Sequence, residues 1–324
     1  MVNLSVIGTS QIAVEFITAA LKTGRFNLHS VYSRKYETGK NFALKFGCEN
    51  VVTDLSQLST DFQCEAVYIA SPNGLHYEQS KRLLDAGKHV ICEKTVTENV
   101  EQFEELCQIA NRNKVIFMEA IIPVYAESRA HLVDAISSIG RITSARLDFS
   151  RQSSRYESFT KGEKVNIFDM SLKAGALMDL GVYCVYAAVD LFGKPKKISA
   201  SATFLSNGAD GSGVAIFEYD TFNAIITYDK TATSVIGSEI IGDKGTVSIG
   251  ALGVYQKVKL HFQGVEKEVF GFIPKTDIMM GEANAFADFI LGNNLVAYGE
   301  KTQLTKDVLT CMEKIKQLAG IKYE

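Results

Sequence analysis

Leu4-Ser5-Val6-Ile7-Gly8-Thr9-Ser10-Gln11-Ile12-Ala13 joins a short apolar run to a glycine turn and then to residues with helical spacing. Beyond the turn, Ala13, Phe16, Ile17 and Ala20 recur on one face, and the segment ends near Gly24. Further apolar runs follow at Leu28 to Ser33, Ala66 to Ala70, His89 to Cys92 and Val115 to Met118, each followed by turn or capping residues. This βαβ rhythm, five strands in all, predicts a doubly wound parallel sheet with helices on both faces. Ligands bind such sheets outside the carboxyl ends of the strands, so the residues that end each run are the ones to read.

Gly8-Thr9-Ser10-Gln11-Ile12-Ala13 has the spacing of Gly-x-Gly-x-x-Gly with only its first glycine intact. Ser10 and Ala13 are small, so backbone can still approach a pyrophosphate and the helix can still pack closely. A tight strand-to-helix turn that needs only Gly8 explains the same residues about as well. The position between strand and helix favours phosphate, because a helix start offers free N–H groups and positive dipole. Gly8, Thr9, Ser10, Gln11 and Ile12 are therefore candidate dinucleotide contacts. The second run ends Tyr32-Ser33-Arg34-Lys35, without the carboxylate that would hold a ribose and select NAD. Ser33, Arg34 and Lys35 offer a hydroxyl, a guanidinium and an ammonium, which suit a 2′-phosphate and hence NADP, with NAD still admissible. An ordinary basic loop is the competing explanation.

Composition narrows the partners. The chain has 324 residues, enough for two domains, with 46% hydrophobic and 22% charged residues. No apolar stretch is expected to approach a membrane span, and the N-terminus lacks a signal-like pattern, so a soluble cytoplasmic protein is expected. Six cysteines are scattered without Cys-x-x-Cys or a Cys/His cluster, and read as reduced core thiols rather than metal ligands. A net charge of −3 with no basic run gives no footing for nucleic acid or an anionic membrane. The expected partner is a small molecule.

Three strand ends carry chemistry. Ala70-Ser71-Pro72-Asn73-Gly74-Leu75-His76 forms a turn before a helix, Glu93-Lys94-Thr95 ends the run at Cys92, and Glu119-Ala120 ends the run at Met118. Taken alone, Glu93-Lys94 reads as solvated surface charge, and a lone His76 as a packed, neutral histidine without a proton-transfer role. Taken in order, the stations resemble the Gfo/Idh/MocA family of nicotinamide-dependent oxidoreductases, which place Ser/Thr-Pro-Asn-x-x-His, Glu-Lys-Pro and Glu-Ala on successive strand ends. The resemblance implies an N-terminal Rossmann domain over 1–121, with Ala70, Ser71, Pro72, Asn73, His76, Glu93, Lys94 and Glu119 at the cofactor. It also implies that Lys94 reaches both the nicotinamide ribose and the substrate. Thr95 departs from the family proline, which frees φ and is expected to loosen the loop.

Lys173-Ala174-Gly175-Ala176-Leu177-Met178-Asp179-Leu180-Gly181-Val182-Tyr183 matches a second family segment, with Lys173 and Ala174 in place of two usual glycines and Tyr183 in place of histidine. The tyrosine is similar to that of the dihydrodiol dehydrogenase and glucose-fructose oxidoreductase subgroup. Asp179 and Tyr183 are four apart and share a helix face. On periodicity alone Tyr183 reads as one aromatic on a buried stripe. With Lys94 present, the resemblance implies catalysis by Lys94, Tyr183 and Asp179. A phenol of pKa about 10 is too weak an acid to ionise alone near neutrality, and a nearby ammonium stabilises its anion. Lys94 is that ammonium, and Asp179 orients the substrate or the lysine.

From residue 122 to 324 the pattern changes to helices over Val124 to Ile139 and Gly175 to Phe192, and strands over Thr143 to Phe149 and Lys197 to Gly271. This predicts an α+β domain, mainly antiparallel, with hairpin turns at Asp220-Thr221 and Gly242-Asp243-Lys244-Gly245. Helices near Asp277 to Leu291 and Thr302 to Ala319 close the chain, and the polar stretch Arg151 to Asn166 is a candidate substrate loop. The resemblance implies substrate binding and a homodimer, or dimer of dimers, through this domain. The expected activity is NADP-preferring hydride transfer at the hydroxyl or carbonyl carbon of a sugar, polyol or diol. A non-catalytic NADP or sugar sensor, and reduction of a non-sugar C=O or C=N group, are the alternatives.

Overall fold

The computed structural model describes residues 1–323, which form two compact units, residues 1–121 with 274–302, and residues 122–273 with 303–323. Unit 1 holds six parallel strands, β1 Val2–Ile7, β2 Phe26–Tyr32, β3 Val51–Val52, β4 Ala66–Ile69, β5 His89–Glu93 and β6 Phe117–Ala120, in the order β3-β2-β1-β4-β5-β6. The order reverses at β1, which pairs with both β2 and β4, so the switch point lies where β1 runs into Gly8. β3 was not read from the sequence because two residues carry no periodicity. The helix Gln11–Lys22 buries Ala13, Phe16, Ile17 and Ala20 as its spacing predicts, and the Phe16 ring stacks on Tyr68 at 3.9 Å. Phe16 and Ile17 each contribute about 1.5–3 kcal/mol by this burial.

Gly8 adopts φ +105°, and a Cβ there would lie 2.6 Å from the Ala70 carbonyl oxygen. Both the turn's hand and its close approach to β4 therefore require glycine. The late segment 274–302 belongs to unit 1, where a contiguous boundary at 121 would leave it with the second domain. Arg25 explains part of this, donating to Asp288 Oδ1 at 2.8 Å and to the Asn284 carbonyl at 3.1 Å. Phe286 from the same helix lies against Phe26, ring centroids 6.3 Å apart.

Unit 2 holds an eight-stranded sheet of β7 Ile142–Ser150, β8 Lys197–Phe204, β9 Asp210–Glu218, β10 Asn223–Asp229, β11 Ser238–Gly242, β12 Thr246–Ala251, β13 Gln256–Phe262 and β14 Val265–Phe270. Its order is β14-β13-β12-β11-β7-β10-β9-β8, antiparallel except where β7 meets β10. The hairpins turn where expected, at residues 219–222 and at Gly242-Asp243-Lys244-Gly245. One face is core, built from Ala145, Leu147, Ala215, Phe217, Ala224, Ile226 and Tyr228. The residues alternating with these face outward.

A helical segment packs on the core face, opening with a wide π-type turn over Leu177–Gly181 and continuing as Val182–Phe192. The expectation that no apolar stretch approaches a membrane span is corrected here. Met170–Phe192 is long and apolar enough to cross a bilayer, and it is 67% buried inside the protein, where the sheet supplies the apolar surroundings. At its start Lys173 takes φ +56°, a left-handed conformation that explains why glycine suits this position in the family pattern.

Asp210 anchors the segment. Its Oδ2 accepts from the Leu177 N–H at 2.6 Å, and a Cβ on Gly175 would fall 1.9 Å from its Oδ1. Burial pushes the Asp210 carboxyl up to about 6, although the Leu177 N–H and the Lys230 charge pull it down. An acid whose folded pKa lies above the unfolded value stabilises most below the unfolded value, about 3.9, and that stability is lost as pH rises through about 6. In urea titrations, wild type is expected to lose stability relative to Asp210→Asn between about pH 4 and 6, by at most about 3 kcal/mol. Parallel curves for the two proteins across that range would contradict the assignment.

Candidate active site

In unit 1 the stations read from the sequence meet around one loop. Glu93 ends β5 as a buried carboxylate, and its Oε1 accepts from the Tyr68 hydroxyl at 2.6 Å. Its Oε2 accepts from the Lys94 N–H at 3.3 Å. Burial raises the Glu93 pKa, while the Tyr68 bond and the Lys94 charge oppose the rise. Lys94 itself is half-buried, and Thr95 is 1% exposed. The Lys94–Thr95 peptide bond is cis.

Two further groups grip the loop. His76 sits between the β4 and β5 turns, with Nδ1 2.9 Å from the Thr95 carbonyl and Nε2 2.8 Å from the Ser71 carbonyl, and in its neutral form its single N–H serves one of the two. Burial depresses the His76 pKa against the pull of both carbonyls. Glu119, buried at the end of β6, accepts from the Val96 N–H at 2.9 Å. A buried N–H left unpaired costs about 1–3 kcal/mol, so each of these side chains fixes the backbone that carries Lys94. The loosening expected from Thr95 is opposed by Glu93 at the end of β5, His76 at a helix start and Glu119 on β6.

The remaining unit 1 candidates surround the switch point. Ser10 precedes the helix Gln11–Lys22 in extended conformation, and no acidic residue occupies the first turn, so its N-terminal dipole is uncompensated there. Thr9, Ala70, Ser71, Pro72 and Asn73 are half-buried, and Ser10 and Gln11 exposed. Ser71 Oγ donates to Gln79 Oε1 at 2.7 Å. At the end of β2, the Ser33 N–H bonds the Val52 carbonyl at 3.1 Å, and Arg34 and Lys35 are exposed. Gly8 against Ala70 leaves a cradle that only glycine permits, and the helix start supplies N–H donors, so these residues fit a dinucleotide. Among the described residues no group of His, Cys, Asp and Glu has the makings of a metal site.

In unit 2, Asp179 and Tyr183 lie on the single helical segment that begins with the π-type turn, a distortion frequent at functional sites. Both are half-exposed, whereas Leu177, Met178, Val182 and Cys184 to Val189 are buried. The Tyr183 ring packs at 5.4 Å from Phe149. Asp179 forms an ion pair with Lys230, which follows β10. Sequence reading missed Tyr68, Asp210 and Lys230. Tyr68 sits in an all-apolar strand, and the other two lie 31 and 51 residues from Asp179, so no local spacing announces them.

Comparison with known proteins agrees with this architecture. Residues 2–121 match the model of the oxidoreductase family with an NAD-binding Rossmann fold, and residues 131–248 match the GFO/IDH/MocA C-terminal domain. The scyllo-inositol 2-dehydrogenase (NADP(+)) IolU of Bacillus subtilis is 34% identical over 323 residues, covering 100% of this chain and 98% of that one. D-xylose 1-dehydrogenase (NADP(+)) 2 of Haloferax volcanii is 28% identical, covering 67% of this chain and 65% of its own. The crystal structure of KijD10, a 3-ketoreductase from Actinomadura kijaniata in complex with NADP and TDP-benzene, superposes with TM-score 0.86 over 98% of both chains at 22% identity, a likeness of fold. The glycine cradle, the braced Glu93-Lys94 strand end and the two family matches make one case: the chain belongs to the Gfo/Idh/MocA family of oxidoreductases.

Proposed function

We propose that the protein is an NADP-preferring oxidoreductase acting at the hydroxyl or carbonyl carbon of a sugar, polyol or diol. The observation that carries this reading is Lys94, presented at a strand end on a loop held by Glu93, His76 and Glu119. Arg34 and Lys35, exposed beyond β2 without a neighbouring carboxylate at the strand end, support the preference for a 2′-phosphate. The NADP(+)-linked inositol and xylose dehydrogenases among the relatives support both cofactor and substrate class. An NADP held by its pyrophosphate at the Gly8 turn would supply or take the hydride. Lys94 hydrogen-bonds the substrate oxygen and offsets the negative charge that develops on it. Tyr183 gives or receives the proton, and Asp179 orients a substrate hydroxyl.

Titration with NADPH and NADH, followed by turnover on sugars, polyols and diols, tests the reading. NADPH is expected to bind more tightly, and Tyr183→Phe to lower kcat by about 10²–10⁴-fold while leaving NADPH affinity unchanged. Near-normal kcat in Tyr183→Phe would remove its proton role. Tight NADPH binding with no turnover by wild type would favour a non-catalytic sensor.

We further propose a homodimer formed through the outer face of the unit 2 sheet, in a protein that works in the cytoplasm. Val214, Ile216 and Ile225 are 38%, 39% and 42% exposed on that face, and Ile225 lies directly opposite Ile216. Six cysteines, none in a disulfide, support a reducing compartment. Light scattering after size exclusion is expected to give twice the monomer mass for wild type and a monomer for Ile225→Glu. A monomeric wild type at micromolar concentration would contradict the dimer.

A further inference from the structure

The substrate-side carboxylate of the proposed reaction has a hidden support. We propose that Lys230 is a positioning residue, which aims Asp179 and joins it mechanically to the polar stretch that begins at Arg151. The inference rests on the oxidoreductase reading above.

Lys230 is a buried lysine, its side chain 3% exposed, whose ammonium ends on the Asp179 carboxylate, 42% exposed. Taking an ammonium out of water is costly unless a counter-charge meets it, so Lys230 cannot leave Asp179 without penalty. An ordinary surface ion pair fixes little, because both partners move. Here one partner is immobile. The Lys230 N–H bonds the Gly211 carbonyl at 2.9 Å, and the ammonium lies 5.4 Å from the ring centroid of the fully buried Phe168. The carboxylate is thereby held at one place on the wide helical turn.

The same residue reaches the candidate substrate loop. The Lys230 carbonyl accepts from the Ser153 N–H at 2.9 Å, and the Arg151 N–H bonds the Asp229 carbonyl at 2.8 Å. Gln152 bonds Thr233 Oγ1 through its main chain and the Thr231 carbonyl through its side chain. Phe168, under the Lys230 ammonium, packs against Phe159 and Tyr156 from the loop, with ring centroids 5.0 and 6.1 Å away. Movement of 151–159 therefore reaches Asp179 through two routes, the main chain of Lys230 and the ring beneath its ammonium. Asp210, buried on the neighbouring β9, also feels the Lys230 charge.

A double-mutant cycle on the NADPH-saturated enzyme tests this, using the best substrate of the panel. Lys230→Met is expected to lower kcat/KM by about 10²-fold, with NADPH affinity within about 2-fold of wild type, because a misaimed carboxylate costs this much. In an Asp179→Asn background the same change is expected to cost less than about 3-fold, since the group it acts through is gone. Lys230→Arg keeps the charge but moves the head group, and is expected to raise KM for substrate at least about 5-fold with little change in kcat. This variant decides the matter if Lys230→Met does not fold, and an unchanged KM would then overturn the proposal. Near-normal kcat/KM in folded Lys230→Met, or the full loss repeated in Asp179→Asn, would overturn the proposal while leaving the oxidoreductase reading standing. A wild type that turns over none of the panel would end both.

Discussion

A short loop that leaves β5 must present one half-buried lysine while burying the residues on either side of it. Everything proposed for Lys94 depends on how that conflict is resolved. Buried peptide groups need partners, and here the Thr95 carbonyl finds His76, the Val96 N–H finds Glu119, and the Glu93 carboxylate finds Tyr68. The partners come from β4, the helix start after it, and β6, strands that flank β5 in the sheet. The lysine's aim is therefore a property of the parallel sheet as a whole. A proline is one means of stiffening such a turn, and three hydrogen-bonded side chains are another.

Unit 2 solves a related problem on a helix. A segment apolar enough for a membrane lies against the sheet, so its polar residues have to emerge at a defined place. The wide turn at Leu177–Gly181 provides that place, with Asp210 satisfying the Leu177 N–H and Lys230 meeting Asp179. The left-handed Lys173 just upstream keeps the backbone conformation that glycine would take more cheaply.

Much of this was legible in the chain itself. The Gly8 turn and the strand ends at Ser71, Glu93 and Glu119 follow from periodicity and turn chemistry, because each is encoded within a few residues. What escaped reading was long-range. Segment 274–302 joins unit 1 through Arg25 and Phe26, more than 250 residues away, and Lys230 meets Asp179 across 51. The two-residue β3 is too short to show alternation, and the membrane-like stretch looked unremarkable because Asp179 and the tyrosines interrupt its run. Thr95 shows the same limit, since its departure from proline is visible in the sequence and its compensation is not.

If the braced loop brings Lys94 to the reacting oxygen, as proposed, hydride transfer depends on its ammonium. The single-turnover rate of hydride transfer from saturating NADPH in Lys94→Met, relative to wild type, tests it most directly. A fall of about 10²–10³-fold is expected, with the nucleotide still bound. A rate within a few-fold of wild type would contradict it.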